Sequence, residues 1–399
     1  MHKLFPIYLL ALVNTLSFSI LLPVLPFLVE EYGGSHFHYG LLLSAFGAAQ
    51  FIGAPILGSL SDRVGRKKIL LLSQFGTFVS WALFGFALGL DSTIFIIGSL
   101  SLPLFIMLLA RLFDGITGGN NSVAEAYITD ITSGKDRAKF FGILGAIFGI
   151  GMILGPVTGS LLFDQGVYYL IGFELGLSLI TFVALFFFLR DTDIKKTKKI
   201  RDPWWHKTLI LKRIKAFDTP LLQVLFRVQF WFCVLFTGYT SIILLYLIDR
   251  YNLDAKGVGI LLLGVGGISI INQAFLLPRF VLRLGEYKVL QRAHLFLFIG
   301  IFLLPWAHTP LIFFLFYTIA HLGVGAIFPP LKALVTHKTD SRSHGEVLGI
   351  LEGIMSFTTI FVPLLSTFLY SFISEWIFCL FAIGFLGNYF YLRFHSSLL

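Results

Sequence analysis

The stretch Gly58-Ser59-Leu60-Ser61-Asp62-Arg63-Val64-Gly65-Arg66-Lys67-Lys68 separates two apolar runs, 38–60 and 69–90. Each run reaches the length of about 20 mostly apolar residues that a membrane-crossing helix needs. Two such runs joined by a short basic turn predict a helical hairpin in a bilayer, with Arg63, Arg66, Lys67 and Lys68 on the cytoplasmic side. The turn has its own chemistry. Gly58 lets helices approach, Gly65 allows a tight turn, Asp62 can cap or pair, and the arginines can reach neighbouring helix ends.

The rest of the chain repeats this theme. Of 399 residues, 57% are hydrophobic, 45 are phenylalanine and only 13% are charged; the mean hydropathy is +0.87. A soluble domain carries about 25% charged residues, so a water-facing globule is excluded, and so is disorder, which needs low hydrophobicity. Breaking the chain at its polar interruptions gives twelve candidate spans: 4–29, 38–60, 69–90, 101–130, 138–163, 168–189, 220–248, 257–279, 289–307, 310–336, 345–370 and 375–394. The first is too long for a signal-peptide core and reads as a retained span. The fold class expected is therefore an all-α polytopic membrane protein.

With both termini inside, 26 of the 30 lysines and arginines fall on the cytoplasmic side. The net charge of +9 thus marks orientation and not a nucleic-acid partner. The one sizeable hydrophilic stretch, Arg190 to Asp218, divides the spans six and six. It gives an N-terminal bundle 1–190, a linker 191–218 and a C-terminal bundle 219–399. Within the linker, Pro203–Phe217 mixes Trp204, Trp205, Leu209, Ile210, Ile214 and Phe217 with lysine and arginine. This predicts an amphipathic helix on an anionic leaflet, acting chiefly as a tether.

The halves repeat. A shift of 220 aligns Leu41-Leu42-Leu43 with Leu261-Leu262-Leu263, and Arg63, Gly65 and Lys68 with Arg283, Gly285 and Lys288. A shift of 207 aligns Gly142-Ile143-Leu144 with Gly349-Ile350-Leu351, and Pro156 with Pro363. Two pseudo-symmetric six-helix bundles follow, an arrangement that places substrate near the bilayer midplane.

The stretch 58–68 resembles the major facilitator superfamily signature G-x-x-x-D-R-x-G-R-[RK]-[RK]. The resemblance implies a cytoplasmic gate carried by Gly58, Asp62, Arg63, Gly65 and Arg66, with Asp130 at the end of the fourth span. In the second half Leu282 and Glu286 replace the matching Asp and Arg, so the latch is expected to be one-sided. Arg111 to Asp130 resembles the fourth helix of drug/proton antiporters. Gly151-Met-Ile-Leu-Gly155-Pro156-Val-Thr-Gly159 resembles their fifth-helix motif G-x-x-x-G-P-x-x-G. There small residues allow close packing and Pro156 kinks the helix. Leu22-Pro23-Val24-Leu25-Pro26 is similar to tetracycline/proton antiporters, but the first-helix Asp typical of that group is Asn14 here.

Charges at membrane depth are costly and face a cavity or a partner. At 100° per residue Arg111, Asp114, Gly118, Asn121 and Glu125 fall on one stripe of the fourth span. The 207-residue shift sends Asp114 to His321 and Glu125 to Lys332 in the tenth span. The resemblance implies that spans 1, 4, 7 and 10 line a cavity. Asp114 is then the candidate proton carrier, with Arg111, Glu125, His321 and Lys332 as coupling groups. The alternatives are that Arg111 and Asp114 simply neutralise each other, that water reaches Glu125 at its end of the span, and that His321 only packs. Asn14, Ser17, Asn121, Arg227, Gln229 and Trp231 are candidate substrate contacts, with Phe113, Tyr127 and Tyr239 as further aromatic faces. Glu174 and Glu352 also lie within spans, and Asn272 and Gln273 read as interhelical hydrogen bonds.

Two cysteines, Cys233 and Cys379, give no disulfide framework or metal spacing, and no phosphate-binding loop is present. The expectation is therefore no enzyme, no cofactor and no metal. The resemblance implies a monomeric secondary transporter of the bacterial inner membrane, working by alternating access. Its partners are a small-molecule substrate, the lipid bilayer and protons or sodium, with no nucleic acid. The leading reading is proton-coupled export of an amphiphilic or drug-like compound. Two rivals stay open: an importer or facilitator of a small metabolite, anionic or not, and a non-transporting membrane receptor.

Overall fold

A computed structural model describes residues 4–132, 134–190, 214, 217, 219–339 and 344–396. The amphipathic segment read at 203–217 lies outside these apart from Ile214 and Phe217. The first part of the chain forms α1 (Phe5–Ile20), α2 (Leu25–Glu31), α3 (His36–Val64), α4 (Arg66–Ala87), α5 (Leu102–Gly118), α6 (Asn121–Ile131), α7 (Gly134–Gln165) and α8 (Val167–Phe188). The second part forms α9 (Pro220–Tyr251), α10 (Ala255–Ile271), α11 (Leu277–Leu284), α12 (Glu286–Leu303), α13 (Pro310–Gly325), α14 (Phe328–His337), α15 (His344–Ile373) and α16 (Ile377–Phe394). Two short antiparallel strands, β1 (Phe95–Ile97) and β2 (Leu100–Ser101), close the loop before α5. In the turn leading to them, the Thr93 N–H and hydroxyl both donate to Asp91, 2.8 Å each. These bonds hold that carboxyl below its ordinary value.

Among the described residues ten helical stretches are long and apolar enough to cross a membrane. The bent pair α1–α2, angled by 46°, makes an eleventh. One of the ten, Glu346–Phe394, is 49 residues long, or ~74 Å of helix at 1.5 Å per residue, more than twice a ~30 Å hydrocarbon core. It consists of α15 and α16, parted by a 3₁₀ turn at Ser374–Trp376, where Ser374 has φ 47°. Trp376 meets Trp306 edge-on at 5.8 Å, beyond the end of α12. The Tyr287 hydroxyl, at the start of α12, donates to the Leu392 carbonyl near the end of α16. So α16 runs back alongside α12 as a separate pass, and the passes among the described residues number twelve.

The breaks have local causes. Pro23 lies in the turn after Ile20, and Pro26 at the start of α2 has no N–H to give the preceding turn. Gly65 (φ 111°) ends α3 and starts α4, a backbone conformation that L side chains rarely adopt. Gly285 (φ 77°) does the same between α11 and α12, so the 220-residue repeat recurs as a repeated turn. The fourth span, expected over 101–130, runs over Leu102–Ile131 with a local interruption of the helix at Gly119 and Asn120.

The chain divides into two compact units, Met1–Thr208 with Asp254–Gly259, and Leu209–Leu253 with Ile260–Leu399. In the first, α1 packs on α7 and α8, α3 on α5, and α4 on α5 and α8. One end is sealed by a core that includes Ile7, Leu10, Leu57, Leu70, Val123 and Ile128. In the second, α9 is the most buried span and packs on α15 and α16, while α12 packs on α13 and α16.

Candidate functional site

The signature loop builds an ion-pair cluster at the Gly65 turn. The Arg66 guanidinium lies 2.6 Å from Asp62 and 3.1 Å from Asp130 at the end of α6. It also donates to the Ser61 hydroxyl at 2.5 Å. Arg66 therefore bridges α3, α4 and α6 by the forked geometry that a guanidinium allows. Arg63 is exposed. At Gly58 a Cβ would meet the Ser122 hydroxyl at 3.6 Å, ordinary contact, so this glycine is not what brings the helices together. The close approach falls at Gly53, where a Cβ would strike the Ile116 backbone, and at Gly119 against Ala54.

Deeper in the first unit, polar residues three and four apart on α1, α4, α5 and α8 converge. On α5, Arg111 and Asp114 are paired at 3.5 Å, with side chains only 4% and 14% exposed. The guanidinium carbon sits 4.2 Å from the centre of the Phe46 ring. A chain of bonds runs from the Asn14 amide to Asn120 Oδ1 (2.7 Å) and from the Asn120 amide to the Ser73 hydroxyl (2.6 Å). Ser73 in turn donates to the Thr117 carbonyl. On α8, Glu174 is wholly buried and accepts from the Ser17 hydroxyl of α1. One turn further, the Gln74 amide donates to Ser178 at 2.7 Å. Three buried atoms of this cluster have no hydrogen-bond partner among the described residues: Arg111 Nε, Gln74 Oε1 and Glu174 Oε1. An unpartnered polar atom costs about 1–3 kcal/mol, so the cluster is held at an energetic disadvantage that packing alone does not require.

Arg111 and Asp114 face each other, and Asn121 and Glu125, beyond the interruption at Gly119 and Asn120, are exposed. The buried amide at the break is Asn120 (0% exposed). Reading the helix as continuous missed it, although two adjacent glycines were the available sign of a break. Glu174 was the sole acidic residue in its span, and its pairing with Ser17 depends on helix rotation, which sequence does not fix.

The glycines of α7 pack against α1. A Cβ on Gly151 would lie 2.8 Å from Thr15, one on Gly155 would strike the Ser19 hydroxyl, and one on Gly159 the Ile20 carbonyl. Ser19 bridges the two helices by donating to the Gly151 carbonyl at 2.9 Å. α7 runs through Pro156 without interruption, and the Ser160 hydroxyl bonds the Pro156 carbonyl at 2.6 Å.

In the second unit the candidates are dispersed. Arg227, near the start of α9, donates to the Tyr391 hydroxyl of α16 at 3.2 Å. Gln229 is buried, with its amide 3.5 Å from the Leu351 carbonyl. Trp231 is 54% exposed and packs edge-on to Phe230. Tyr239 is fully buried and Phe113 exposed, while Tyr127 bonds the Arg190 carbonyl. His321 Nδ1 lies 3.3 Å from the Tyr317 carbonyl, one turn back on α13, with the Tyr317 ring 4.3 Å away. Lys332 forms an ion pair with Glu352 at 2.8 Å. Asn272 makes an interhelical bond to the Leu322 carbonyl at 3.0 Å. No cluster of three metal-ligating side chains occurs among the described residues.

Twelve passes among the described residues, a bent first span, a glycine seam and a buried ion pair define a polytopic transporter of the twelve-span type. The chain belongs to the Major Facilitator Superfamily, whose sequence profile matches residues 7–345 and 283–396. It is 28% identical over 385 residues to the tetracycline resistance protein of class H from Pasteurella multocida, covering 93% of this chain and 90% of that one. It is 30% identical over 365 residues to the class G protein from Vibrio anguillarum, covering 90% and 88%. The solved structure of the human organic anion transporter MFSD10 shares the fold, with a TM-score of 0.71, 22% identity and coverage of 98% and 99%.

Proposed function

We propose that this protein exports small amphiphilic or drug-like compounds in exchange for protons, by alternating access of residues 1–190 and 219–399. The observation that carries the reading is the Arg111–Asp114 pair, buried inside an apolar span beneath the Phe46 ring. A pair so placed costs desolvation that a structural helix has no need to meet, whereas protonating Asp114 releases Arg111 and so gives a proton a structural consequence. The glycine seam of α7 on α1 and the tetracycline-resistance relatives support export. In this reading the Asp62–Arg66–Asp130 cluster is the cytoplasmic latch of one end-state, and the membrane is a bacterial inner membrane.

The import reading asks Arg111, Arg227 and Lys332 to hold an anion. Two of these are neutralised by their own carboxylates, Asp114 and Glu352, which weighs against it.

The test is a flux assay in proteoliposomes with tetracycline and ethidium as probes and an imposed pH gradient, run in sodium-free buffer. Export coupled to protons predicts gradient-dependent flux in the wild type and its loss in Asp114→Asn. Flux in Asp114→Asn that still follows the gradient would remove Asp114 from the mechanism. Wild-type flux indifferent to the gradient would leave a facilitator.

A further inference from the structure

The first unit holds a second acid that the Asp114 reading leaves unused. Glu174 is 0% exposed, in the middle of α8. Its Oε2 accepts from the Ser17 hydroxyl, and its Oε1 has no hydrogen-bond partner among the described residues. Among the described residues it forms no ion pair, and the buried arginine of the cluster is paired with Asp114.

Its surroundings are otherwise almost free of charge. The helices packed on α8 are α1, α4 and α7. α1 contains no charged residue. The charges of α4 are Arg66, Lys67 and Lys68 in its first turn, two turns from Gln74. Those of α7 lie in its first turns (Lys135, Asp136, Arg137 and Lys139) and at Asp164 near its far end. The titratable group that acts on Glu174 is the Asp114 carboxyl of α5, held in turn by Arg111.

From this geometry we infer that Glu174 is a second proton-binding group of the transporter, with the Ser17 hydroxyl reporting its state to α1. Uptake adds one proton to Oε1, the oxygen without a partner, while Oε2 keeps the Ser17 hydroxyl; release restores the carboxylate. A carboxylate at this position has one hydrogen bond and no ion pair among the described residues, and the Asp114 carboxyl acts on it as a like charge. A proton on either acid relieves the other. Ser17 lies one turn from Asn14 and two residues from Ser19, which grips the Gly151 carbonyl of α7. Ser17 is thus the contact by which Glu174 touches α1, the helix on which the α7 glycines pack.

The inference rests on the proton-coupled reading, but its test does not need transport. The protein in lipid is titrated by infrared difference spectroscopy, following the C=O stretch of a protonated carboxyl between acidic and alkaline buffer. A band that titrates in the wild type, disappears in Glu174→Gln and persists in Asp114→Asn is the expected result. Ser17→Ala, which removes the hydroxyl partner and keeps both acids, shifts that band to higher frequency and serves if Glu174→Gln does not accumulate. A spectrum unchanged by Glu174→Gln, or unmoved by Ser17→Ala, overturns the assignment. Failure of proton coupling itself reads out separately, as wild-type tetracycline flux that ignores the pH gradient.

Discussion

At the scale of single residues, the first unit is organised by amides and hydroxyls more than by charges. Asn120 is the centre of that network, because it accepts from Asn14 and donates to Ser73. Asn120→Ala would leave the Asn14 amide without its acceptor and take a donor from Ser73, at about 1–3 kcal/mol for each group left unsatisfied. Asn14→Ala removes only the outer link and costs less. The double variant should cost less than the two single changes added together, because both delete the same bond. Thermal or denaturant unfolding of the purified protein in detergent measures all three; strict additivity would mean that the two amides do not share a network. The sequence led to Asn121 because the helical stripe was extrapolated at 100° per residue through Gly118 and Gly119. That phase holds only while the helix does. Arg111 and Asp114 were legible because partners three apart on one helix meet whatever the rest of the fold does. Ser17 with Glu174, 157 residues apart, was not, since their meeting depends on how two helices are rotated against each other.

At the scale of elements, the seam between α1 and α7 shows what the glycine spacing is for. Gly151, Gly155 and Gly159 put a backbone without side chains against Thr15, Ser19 and Ile20, so that Ser19 can reach the Gly151 carbonyl. Gly149, on the same helix, has no described atom within 4 Å of where a Cβ would stand. The two positions therefore respond oppositely to the same change. Gly155→Ala forces the helices apart and should cost about 1–3 kcal/mol, the usual penalty for overpacking. Gly149→Ala adds a better helix former in open space and is worth up to about 1 kcal/mol in the other direction. Unfolding midpoints in detergent give the comparison, and a matching loss at both positions would show that α7 responds to helix propensity alone. The span boundaries were readable from runs of apolar residues because lipid leaves few alternatives to a helix of bilayer length. The interruptions at Ile20–Leu25, Gly118–Asn121 and the π-helical turn Asn272–Leu276 were harder to read. Proline and glycine are tolerated in membrane helices when neighbours re-satisfy the backbone, and those neighbours belong to the tertiary fold.

At the scale of the whole molecule, the distribution of charge sets how the protein lies in the membrane. With 26 of 30 basic residues assigned to one side, the opposite orientation would carry them against a membrane potential that costs about 2.3 kcal/mol per charge for each 100 mV. The bias is spread along the entire chain, so no single loop decides it. This predicts that both termini and the linker face the cytoplasm, while the β1–β2 hairpin and the turn after α12 face outward. Cys233 and Cys379 can be replaced by serine to clear the background, because both are free. Single cysteines are then placed at Ser99 or His308, both exposed on the predicted outer side, and at Thr197 or Ser396 on the predicted inner side. In intact cells a membrane-impermeant maleimide should label the first pair at once and the second pair only after permeabilisation. Labelling of Thr197→Cys in intact cells would reverse the orientation. It would also move the Asp62–Arg66–Asp130 cluster to the outer face, where it could not latch the side from which an exporter takes its substrate.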